Sequence, residues 1–310
     1  MSAPKTIVYF RNGIGNFIMM TPAIRALAAL DASGKVDICL ADDWKDSRMP
    51  AVREIAEKWD LVDSVITYPR EPFKHDYDLY FYVHHTEGSV ALNYFIEKGK
   101  ALWHLQSWGE MHEIDYYMEH VRKLGSKLLC PDQFVPIAHE PTIIKGHEQP
   151  VIGLGNGAFV SKMWDKKRWP HFNHLAKTLK RYFNVKIALI GSSKELAEVD
   201  RDLVDYDCID KLTITQTAKM ISQLDLFITT DSGNMHIADA LKVPMIALFG
   251  ATYLSKNRPV SREAIVLRAG YPCQPCQGKE KFNTCTKYRC MEDLSVGDVM
   301  HLVRKKMAYA

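Results

Sequence analysis

Short apolar runs alternate along this chain with stretches in which apolar residues recur at helical spacing. The clearest example is residues 226–252, where an apolar run at 226–229 leads into a polar turn, a helical pattern that Pro244 closes, and a second apolar run at 245–249. This order predicts a buried strand, a helix and a parallel strand. Such a unit is half of a doubly wound fold, which binds ligands at the carboxyl ends of its strands.

The same alternation predicts the rest of the fold. Further strands are expected at residues 5–10, 36–41, 64–68, 79–83, 151–154 and 185–190, and further helices at residues 17–30, 51–59, 171–182, 218–224 and 296–307. Residues 131–150 contain several prolines and lack apolar periodicity, which predicts a linker. We therefore expect an α/β protein with two Rossmann-like, doubly wound domains at residues 1–140 and 150–295, followed by a C-terminal helix at 296–310.

Composition restricts the class of protein. The chain has 310 residues, of which 47% are hydrophobic and 25% charged, and its net charge is +3. This balance is typical of a soluble globular protein, and the charge does not by itself indicate nucleic acid. The start of the chain lacks a basic segment followed by a long apolar core, and no apolar stretch reaches the length of a membrane span. We expect a cytoplasmic protein whose basic residues could contact a membrane surface.

The polar turn after residue 229 carries the first candidate chemistry. Asp231 and Ser232 are both good helix N-caps, and the backbone N–H groups of Ser232, Gly233 and Asn234 would point out of the helix start. The positive end of a helix attracts anions, and phosphate is the obvious candidate.

These residues also carry a resemblance. The run Asp231-Ser232-Gly233-x-x-His236-x-x-x-Ala240, continued by Pro244, Phe249-Gly250 and Thr252, resembles the signature of glycosyltransferase family 9, the lipopolysaccharide heptosyltransferase family. The resemblance implies a GT-B fold, in which two Rossmann-like domains face each other across a cleft and the last helix packs back on the first domain. It also implies that the second domain binds the diphosphate and sugar of a nucleotide-sugar donor, with Asp231 and His236 among its contacts.

The turn after the first predicted strand has two interpretations. Gly13-x-Gly15 is part of a dinucleotide-binding pattern, but Ile18 occupies the third glycine position, so the signal for a nicotinamide cofactor is weak. A tight strand-to-helix turn explains the glycines equally well. The stretch also resembles the N-terminal motif of family 9, Gly-x-Gly-Asp followed by Thr-Pro, which would make Gly13, Gly15 and Asn16 acceptor-binding residues.

Asn16 is the main departure from that motif. The aspartate of the family, taken to be the general base that deprotonates the acceptor hydroxyl, aligns with Asn16, and an amide has no useful proton affinity near neutral pH. Another residue could supply the base, Asn16 could orient the acceptor only, or the protein could have lost transferase activity. His84, His85 and Glu87 follow a predicted strand and are our candidates for a substitute base, although a solvated loop is the alternative.

Two further donor contacts follow from the resemblance. A basic loop precedes the helix predicted at 171–182, and within it Lys167 takes the position of the lysine that contacts donor phosphate in the family. A lysine beside a helix start is chemically suited to a departing diphosphate. In the family an acidic residue after the glycine that follows the strand predicted at 185–190 holds the ribose, which makes Glu195 the candidate and Glu198 the alternative.

Four of the seven cysteines, Cys273, Cys276, Cys285 and Cys290, lie within eighteen residues. Four thiolates on one loop can form a tetrahedral zinc or iron site, and some members of the family have a comparable cysteine-rich insert. Free thiols and disulfides are the alternatives. The odd total number of cysteines argues against a disulfide framework.

The expected function is transfer of heptose or another hexose-like sugar from a nucleotide diphosphate sugar to an acceptor hydroxyl, with inversion and without a catalytic metal or other cofactor. The acceptor could be a saccharide, a lipid-linked glycan or another hydroxyl compound. Because of Asn16, a non-catalytic or altered nucleotide-sugar or nucleic-acid binding protein is the main alternative. A nicotinamide oxidoreductase is the third.

Overall fold

The computed structural model describes residues 5–41, 49–73, 76–82, 90–98, 111–129, 132–146, 148–158, 163–193, 195–196 and 198–307. The chain divides into two compact units, Met1–Pro136 and Ile137–Ala310. This division falls within the stretch that the sequence predicts to be a linker.

The first unit contains a parallel four-stranded sheet in the order β3-β2-β1-β4. Its elements, in chain order, are β1 (Thr6–Phe10), α1 (Ile14–Ala28), β2 (Val36–Ala41), α2 (Met49–Glu57), β3 (Val62–Tyr68), β4 (Leu79–Phe81), α3 (Val90–Glu97) and α4 (Glu113–Lys123). The central strand β1 is buried along its whole length and pairs through Ile7 with both Asp37 and Tyr80. A continuous apolar run of this kind is what a strand needs when helices cover both faces of a sheet.

The second unit contains a parallel six-stranded sheet in the order β10-β9-β8-β5-β6-β7. Its strands are β5 (Val151–Gly155), β6 (Lys186–Leu189), β7 (Tyr206–Asp207), β8 (Leu226–Thr230), β9 (Met245–Leu248) and β10 (Ala264–Leu267). Its helices are α5 (Phe172–Tyr182), α6 (Ile214–Ile221), α7 (Gly233–Ala240), α8 (Leu254–Asn257), α9 (Glu280–Thr284), α10 (Arg289–Glu292) and α11 (Val296–Met307), with short 3₁₀ turns at Asp165–Lys167 and Arg201–Leu203.

The predicted fold class is confirmed, because each unit is an α/β structure built on a parallel sheet. The sequence did not predict β7 or β10, which are short strands at the two edges of the second sheet. β10 is only half-buried, so its apolar run is weaker than those of the central strands. In contrast, β8 is buried at all five positions, as its continuous apolar run predicts.

Helix α1 begins three residues earlier than predicted and contains Pro22. Gly13 is its N-cap, so Asn16 lies in the first turn of the helix and not in the preceding loop. A proline lacks the N–H that would bond the carbonyl of the residue four positions earlier. For Pro22 this residue is Ile18. The Thr21 hydroxyl donates to the Ile18 carbonyl at 2.7 Å and so replaces the missing hydrogen bond.

The packing between β5 and β8 gives a direct test of this fold. A Cβ atom on Gly153 would lie 2.4 Å from Leu224 Cδ1 and 2.9 Å from Phe227 Cδ2, and both neighbours are buried. We expect Gly153→Ala to lower the free energy of unfolding by about 1–3 kcal/mol, because the added methyl overpacks the core. Urea denaturation measures the change.

Gly297 in α11 is the matched control, since a Cβ atom on this residue would lie no closer than 3.4 Å to its nearest neighbour. We expect Gly297→Ala to leave stability unchanged or to raise it by up to about 1 kcal/mol, through better helix propensity. Equal stability of the two variants would contradict the packing described for β5.

Candidate functional site

The carboxyl ends of β5 and β8 form the centre of the candidate site. These two strands are adjacent, and the strand order reverses direction between them, which is where doubly wound folds bind ligands. The turns that follow the strands are in direct contact. The Thr230 hydroxyl donates to the Gly157 carbonyl at 2.9 Å, and a Cβ on Gly157 would lie 2.9 Å from the Cβ of Ser232. Only glycine fits this close approach.

Ser232 is the N-cap of α7, and its side chain accepts a hydrogen bond from the Met235 N–H at 3.4 Å. The first backbone N–H groups of a helix have no partner within the helix, so those of Gly233 and Asn234 are available to a ligand. Both residues are partly exposed. The sequence offered Asp231 and Ser232 equally as caps, and the structure assigns the cap to Ser232.

Asp231 instead forms an ion pair with Lys167. The Lys167 Nζ lies 2.9 Å from Asp231 Oδ2, and the side chains are only 14% and 5% exposed. Burial alone would raise the pKa of the Asp231 carboxyl, but the charges of Lys167 and His236 and the Thr252 hydroxyl outweigh it and lower the pKa below its usual value. The paired charges therefore persist at neutral pH. His236 is itself almost fully buried in α7.

The loop that carries Lys167 is held at its other end by Trp169. The Asn156 side chain donates to the Trp169 carbonyl at 3.0 Å and accepts from the Trp169 N–H at 2.8 Å. The Trp169 indole is fully buried and donates to the Leu294 carbonyl at 2.8 Å. The Gly-rich turn after β5 thus fixes the position from which Lys167 reaches Asp231.

Lys166 is a residue that the sequence did not single out. It is 4% exposed, its ammonium lies 4.3 Å from the centre of the Phe282 ring, and it donates a hydrogen bond to the Phe282 carbonyl. This contact joins the Lys167 loop to the cysteine-rich segment, 116 positions away. A run of basic residues in a sequence usually indicates a solvated surface, so no local pattern could have predicted it.

Glu195 lies next to the same turns. Its Oε2 accepts from the Ser192 N–H at 2.9 Å, and a Cβ on Gly191 would clash with that oxygen at 2.4 Å. Gly191 has φ +142°, a conformation that favours glycine. Burial raises the pKa of the Glu195 carboxyl, and the Ser192 N–H and the Arg168 charge offset only part of this effect.

A cavity of about 390 Å³ opens beside Glu195, and Asn156, Arg168 and Tyr288 also line it. Arg168 is the second residue that the sequence did not single out. Its Nη1 lies 2.9 Å from Asp165 Oδ1, whereas its Nε and Nη2 are buried and have no hydrogen-bond partner among the described residues. The cavity therefore combines a carboxylate, unused guanidinium donors and aromatic walls.

In the first unit, Asn16 donates from Nδ2 to Glu113 Oε2 at 2.8 Å. Gly13, Gly15 and Asn16 are all partly exposed at the start of α1. His84, His85 and Glu87, our candidates for the base, lie outside the described residues. Their role stays a prediction.

The structure does not confirm the metal site that the sequence predicts at the four clustered cysteines. All four are described, and all are free thiols. Burial, followed by the neighbouring Cys276, Cys273 and Cys285, raises the pKa of Cys290 to about 11, so the four lie near one another. However, the described residues contain no group of three or more His, Cys, Asp or Glu arranged to hold a metal ion. Cys273 is exposed, Cys276 is buried, and the Cys285 sulfur contacts the Lys287 carbonyl at 3.1 Å.

Comparison with known proteins identifies the family. Residues 127–287, which are more than half of the chain and include Lys167, Glu195 and Asp231, match the model of glycosyltransferase family 9 (heptosyltransferase). The chain belongs to glycosyltransferase family 9. The expectation drawn from the sequence motifs is thus confirmed, and the chain is classed with the glycosyltransferases.

Several family 9 relatives are named heptosyltransferases. The chain is 26% identical over 228 residues to lipooligosaccharide heptosyltransferase 2 of Campylobacter jejuni, an alignment that covers 68% of this chain and 67% of the relative. It is 31% identical over 132 residues to lipopolysaccharide heptosyltransferase 2 of Salmonella typhimurium, covering 39% of this chain and 37% of that protein.

Solved glycosyltransferase structures share the fold over nearly the whole chain. A glycosyltransferase family 9 protein from Veillonella parvula has a TM-score of 0.73 at 18% identity, covering 100% of this chain and 98% of its own. The ADP-heptose heptosyltransferase II of E. coli has a TM-score of 0.69 at 18% identity, covering 98% and 99%. The iron-containing glycosyltransferase TibC of E. coli has a TM-score of 0.68 at 12% identity, covering 99% and 77%.

In the described part of the chain, every helix is too short or too polar to cross a lipid bilayer.

The buried ion pair gives a testable dependence of stability on pH. We expect Asp231→Asn to lower the free energy of unfolding by about 3 kcal/mol at pH 7, because it leaves the Lys167 ammonium buried beside a neutral group. The pKa of Asp231 is lowered by folding, so its contribution is present above the unfolded pKa of about 3.9 and is lost as the pH falls through the folded value. Urea denaturation at pH 7 and at decreasing pH measures both effects.

Asp165→Asn is the control, since its ion pair with Arg168 is 41% exposed on the Asp165 side and is expected to contribute less than about 1 kcal/mol. A stability gap between wild type and Asp231→Asn that stays constant down to acidic pH would show that the carboxylate charge is not what stabilises this site.

Proposed function

We propose that this protein transfers a heptose from an ADP-linked donor to a hydroxyl of a lipopolysaccharide-type acceptor, with inversion and without a catalytic metal. The Lys167–Asp231 pair at the start of α7 carries the proposal, since it holds a buried positive charge beside the free N–H groups of a helix. Family membership and the names of the relatives support heptose. The heptosyltransferase WaaC of E. coli, a protein of similar fold, has been solved with ADP and with ADP-2-deoxy-2-fluoro heptose, which supports the choice of nucleotide.

The donor diphosphate would bind where the Lys167 ammonium and the α7 N–H groups converge. In the reaction the bond between the sugar and the diphosphate breaks, so negative charge grows on the leaving oxygen. A fixed ammonium and oriented amides stabilise this charge more strongly in the transition state than in the ground state. Asp231 holds Lys167 in place through the ion pair. These groups supply the charge that a divalent cation would supply in a metal-dependent enzyme.

The nucleoside would occupy the cavity beside Glu195. A carboxylate can accept hydrogen bonds from both hydroxyls of a ribose, and Glu195 is held by the Ser192 N–H with one face toward the cavity. The unused donors of Arg168 and the Tyr288 ring suit the ring acceptors and the face of a purine base.

The sugar of the donor would contact Asp231 and His236, and the acceptor would bind at Gly13, Gly15 and Asn16. Inversion follows if the acceptor hydroxyl attacks directly from the side opposite the leaving diphosphate. We keep His84, His85 and Glu87 as the proposed sources of a base, because Asn16 does not take up the proton.

Asn16 also supports a second candidate, a protein that binds nucleotide sugars without transferring them. Production of ADP from ADP-heptose that requires an acceptor would exclude it. Family membership argues against the nicotinamide oxidoreductase that the partial glycine pattern left open.

The phosphate contact is tested by comparing two ligands. We expect Lys167→Ala to weaken ADP binding by about tenfold or more, since it removes a charge-assisted contact to the diphosphate. Adenosine, which lacks the diphosphate, is expected to bind both proteins equally. Isothermal titration calorimetry measures both affinities. Lys177→Ala, an exposed lysine on α5, is the control and is expected to bind ADP as wild type does. If Lys167→Ala lost affinity for ADP and for adenosine equally, Lys167 would not contact the phosphates.

The ribose contact is tested with a modified nucleotide. We expect wild type to bind 2′-deoxy-ADP about tenfold more weakly than ADP, because one hydrogen bond to the Glu195 carboxylate is lost. In Glu195→Gln this preference is expected to shrink to about twofold or less, since a neutral amide binds the hydroxyl less strongly. Glu198→Gln, which alters a carboxylate on the same cavity, is the control. A Glu195→Gln variant that keeps the full preference for ADP would refute the ribose role.

A further inference from the structure

Glu113 is a fully buried carboxylate in the first unit, and no role in the reaction has so far been given to it. It is the first residue of α4, where the positive end of the helix favours a negative charge. A buried carboxylate destabilises a fold unless other groups donate hydrogen bonds to it. Two of the groups that do so here lie on α1 and on α4 itself.

Two of its donors are Asn16 and Tyr117. Asn16 Nδ2 donates to Glu113 Oε2 at 2.8 Å, and the Tyr117 hydroxyl donates to Oε1 at 3.3 Å. Burial raises the pKa of Tyr117 well above its usual value, and the Glu113 charge raises it further. The same two causes raise the pKa of Tyr116 to about 12. Both phenols therefore stay protonated at neutral pH. The two hydrogen-bond donors and the start of α4 favour the ionised form of the Glu113 carboxyl.

The contact with Glu113 determines which way the Asn16 amide points. An ionised carboxylate only accepts hydrogen bonds, so the amide must turn its NH₂ group toward Glu113. Its oxygen Oδ1 then points the other way as an acceptor. Asn16 is partly exposed at the start of α1, whereas Glu113 is shielded behind it. The pair thus presents an oriented amide oxygen in front of a buried negative charge.

We propose that Glu113 is a positioning residue for the acceptor, which acts through Asn16 by holding the amide so that Oδ1 accepts a hydrogen bond from the acceptor hydroxyl. This assignment rests on the proposed function. The family motif has one aspartate at this position, whereas in this chain Asn16 and Glu113 together take the roles of that aspartate. Asn16 orients the hydroxyl, and Glu113 supplies the negative charge from 97 positions away. The proton of the hydroxyl passes to a separate base, because an amide does not take it up.

The first test is Glu113→Gln, which keeps the size of the side chain and removes its charge. The new amide can donate as well as accept, so it no longer fixes the orientation of Asn16. With ADP-heptose as donor and heptose-deficient lipopolysaccharide as acceptor, we expect kcat/KM for the acceptor to fall by about tenfold or more. The Kd for ADP, measured by calorimetry, is expected to stay within about twofold of wild type. Asp115→Asn, an exposed carboxylate on the same helix, is the control and is expected to change neither value.

The second test exchanges the two groups. Asn16→Asp alone places two carboxylates where an amide and a carboxylate lie 2.8 Å apart, and their repulsion is expected to lower acceptor kcat/KM below wild type. Asn16→Asp combined with Glu113→Gln restores one carboxylate and one amide in reversed order. We expect the double variant to recover to within about threefold of wild type, although each single variant is impaired. It retains the hydrogen bond, so it also serves if Glu113→Gln alone does not fold.

Two results would overturn the assignment while wild type transfers heptose normally. One is a folded Glu113→Gln variant with unchanged acceptor kcat/KM. The other is a double variant whose loss equals the product of the two single losses, which would show that the residues act independently. A wild-type protein that neither binds ADP nor transfers heptose would overturn the proposed function itself, and this assignment with it.

Discussion

The buried ion pair between Lys167 and Asp231 is the interaction on which the second unit's site depends. Taking both charges out of water is costly, and the structure offsets the cost by placing them 2.9 Å apart beside His236 and the start of α7. Replacing such a pair with apolar residues commonly leaves a protein no less stable. A buried charge pair at the carboxyl ends of strands is therefore better explained by binding than by stability. Its position is in turn fixed by the two hydrogen bonds between Asn156 and Trp169.

The first unit also contains a buried carboxyl group, Glu113, to which Asn16 and Tyr117 donate hydrogen bonds. Where the family has a carboxylate at the start of the first helix, this chain has an amide with a carboxylate directly behind it. The electrostatic character of the position is thus retained, although the group that faces outward is neutral. In this arrangement Asn16 would keep an oriented hydrogen bond to the acceptor hydroxyl, and a separate base would take up the proton of that hydroxyl. It explains how a chain without the usual aspartate can still belong to a family of transferases.

Sequence reasoning succeeded where the signal is local. The apolar runs predicted the central strands, and the turn at Asp231–Ser232 predicted the start of α7, because strand burial and helix capping are decided by a few neighbouring residues. Lys166, Arg168 and Glu113 were missed, since each acquires its surroundings from a segment distant in the sequence or from a cavity. The predicted metal site is not confirmed. The spacing of the four cysteines is suitable, but spacing alone does not determine how the four sulfurs are arranged once the loop has folded.

The central claim is that this chain transfers heptose with inversion from ADP-heptose to an acceptor hydroxyl. The most direct measurement is incubation of the purified protein with ADP-β-heptose and heptose-deficient lipopolysaccharide, followed by mass spectrometry and by NMR of the anomeric proton of the product. The account predicts an acceptor that has gained one heptose in α linkage, with one ADP released for each heptose transferred. A β-linked product, or ADP released without any modified acceptor, would contradict it.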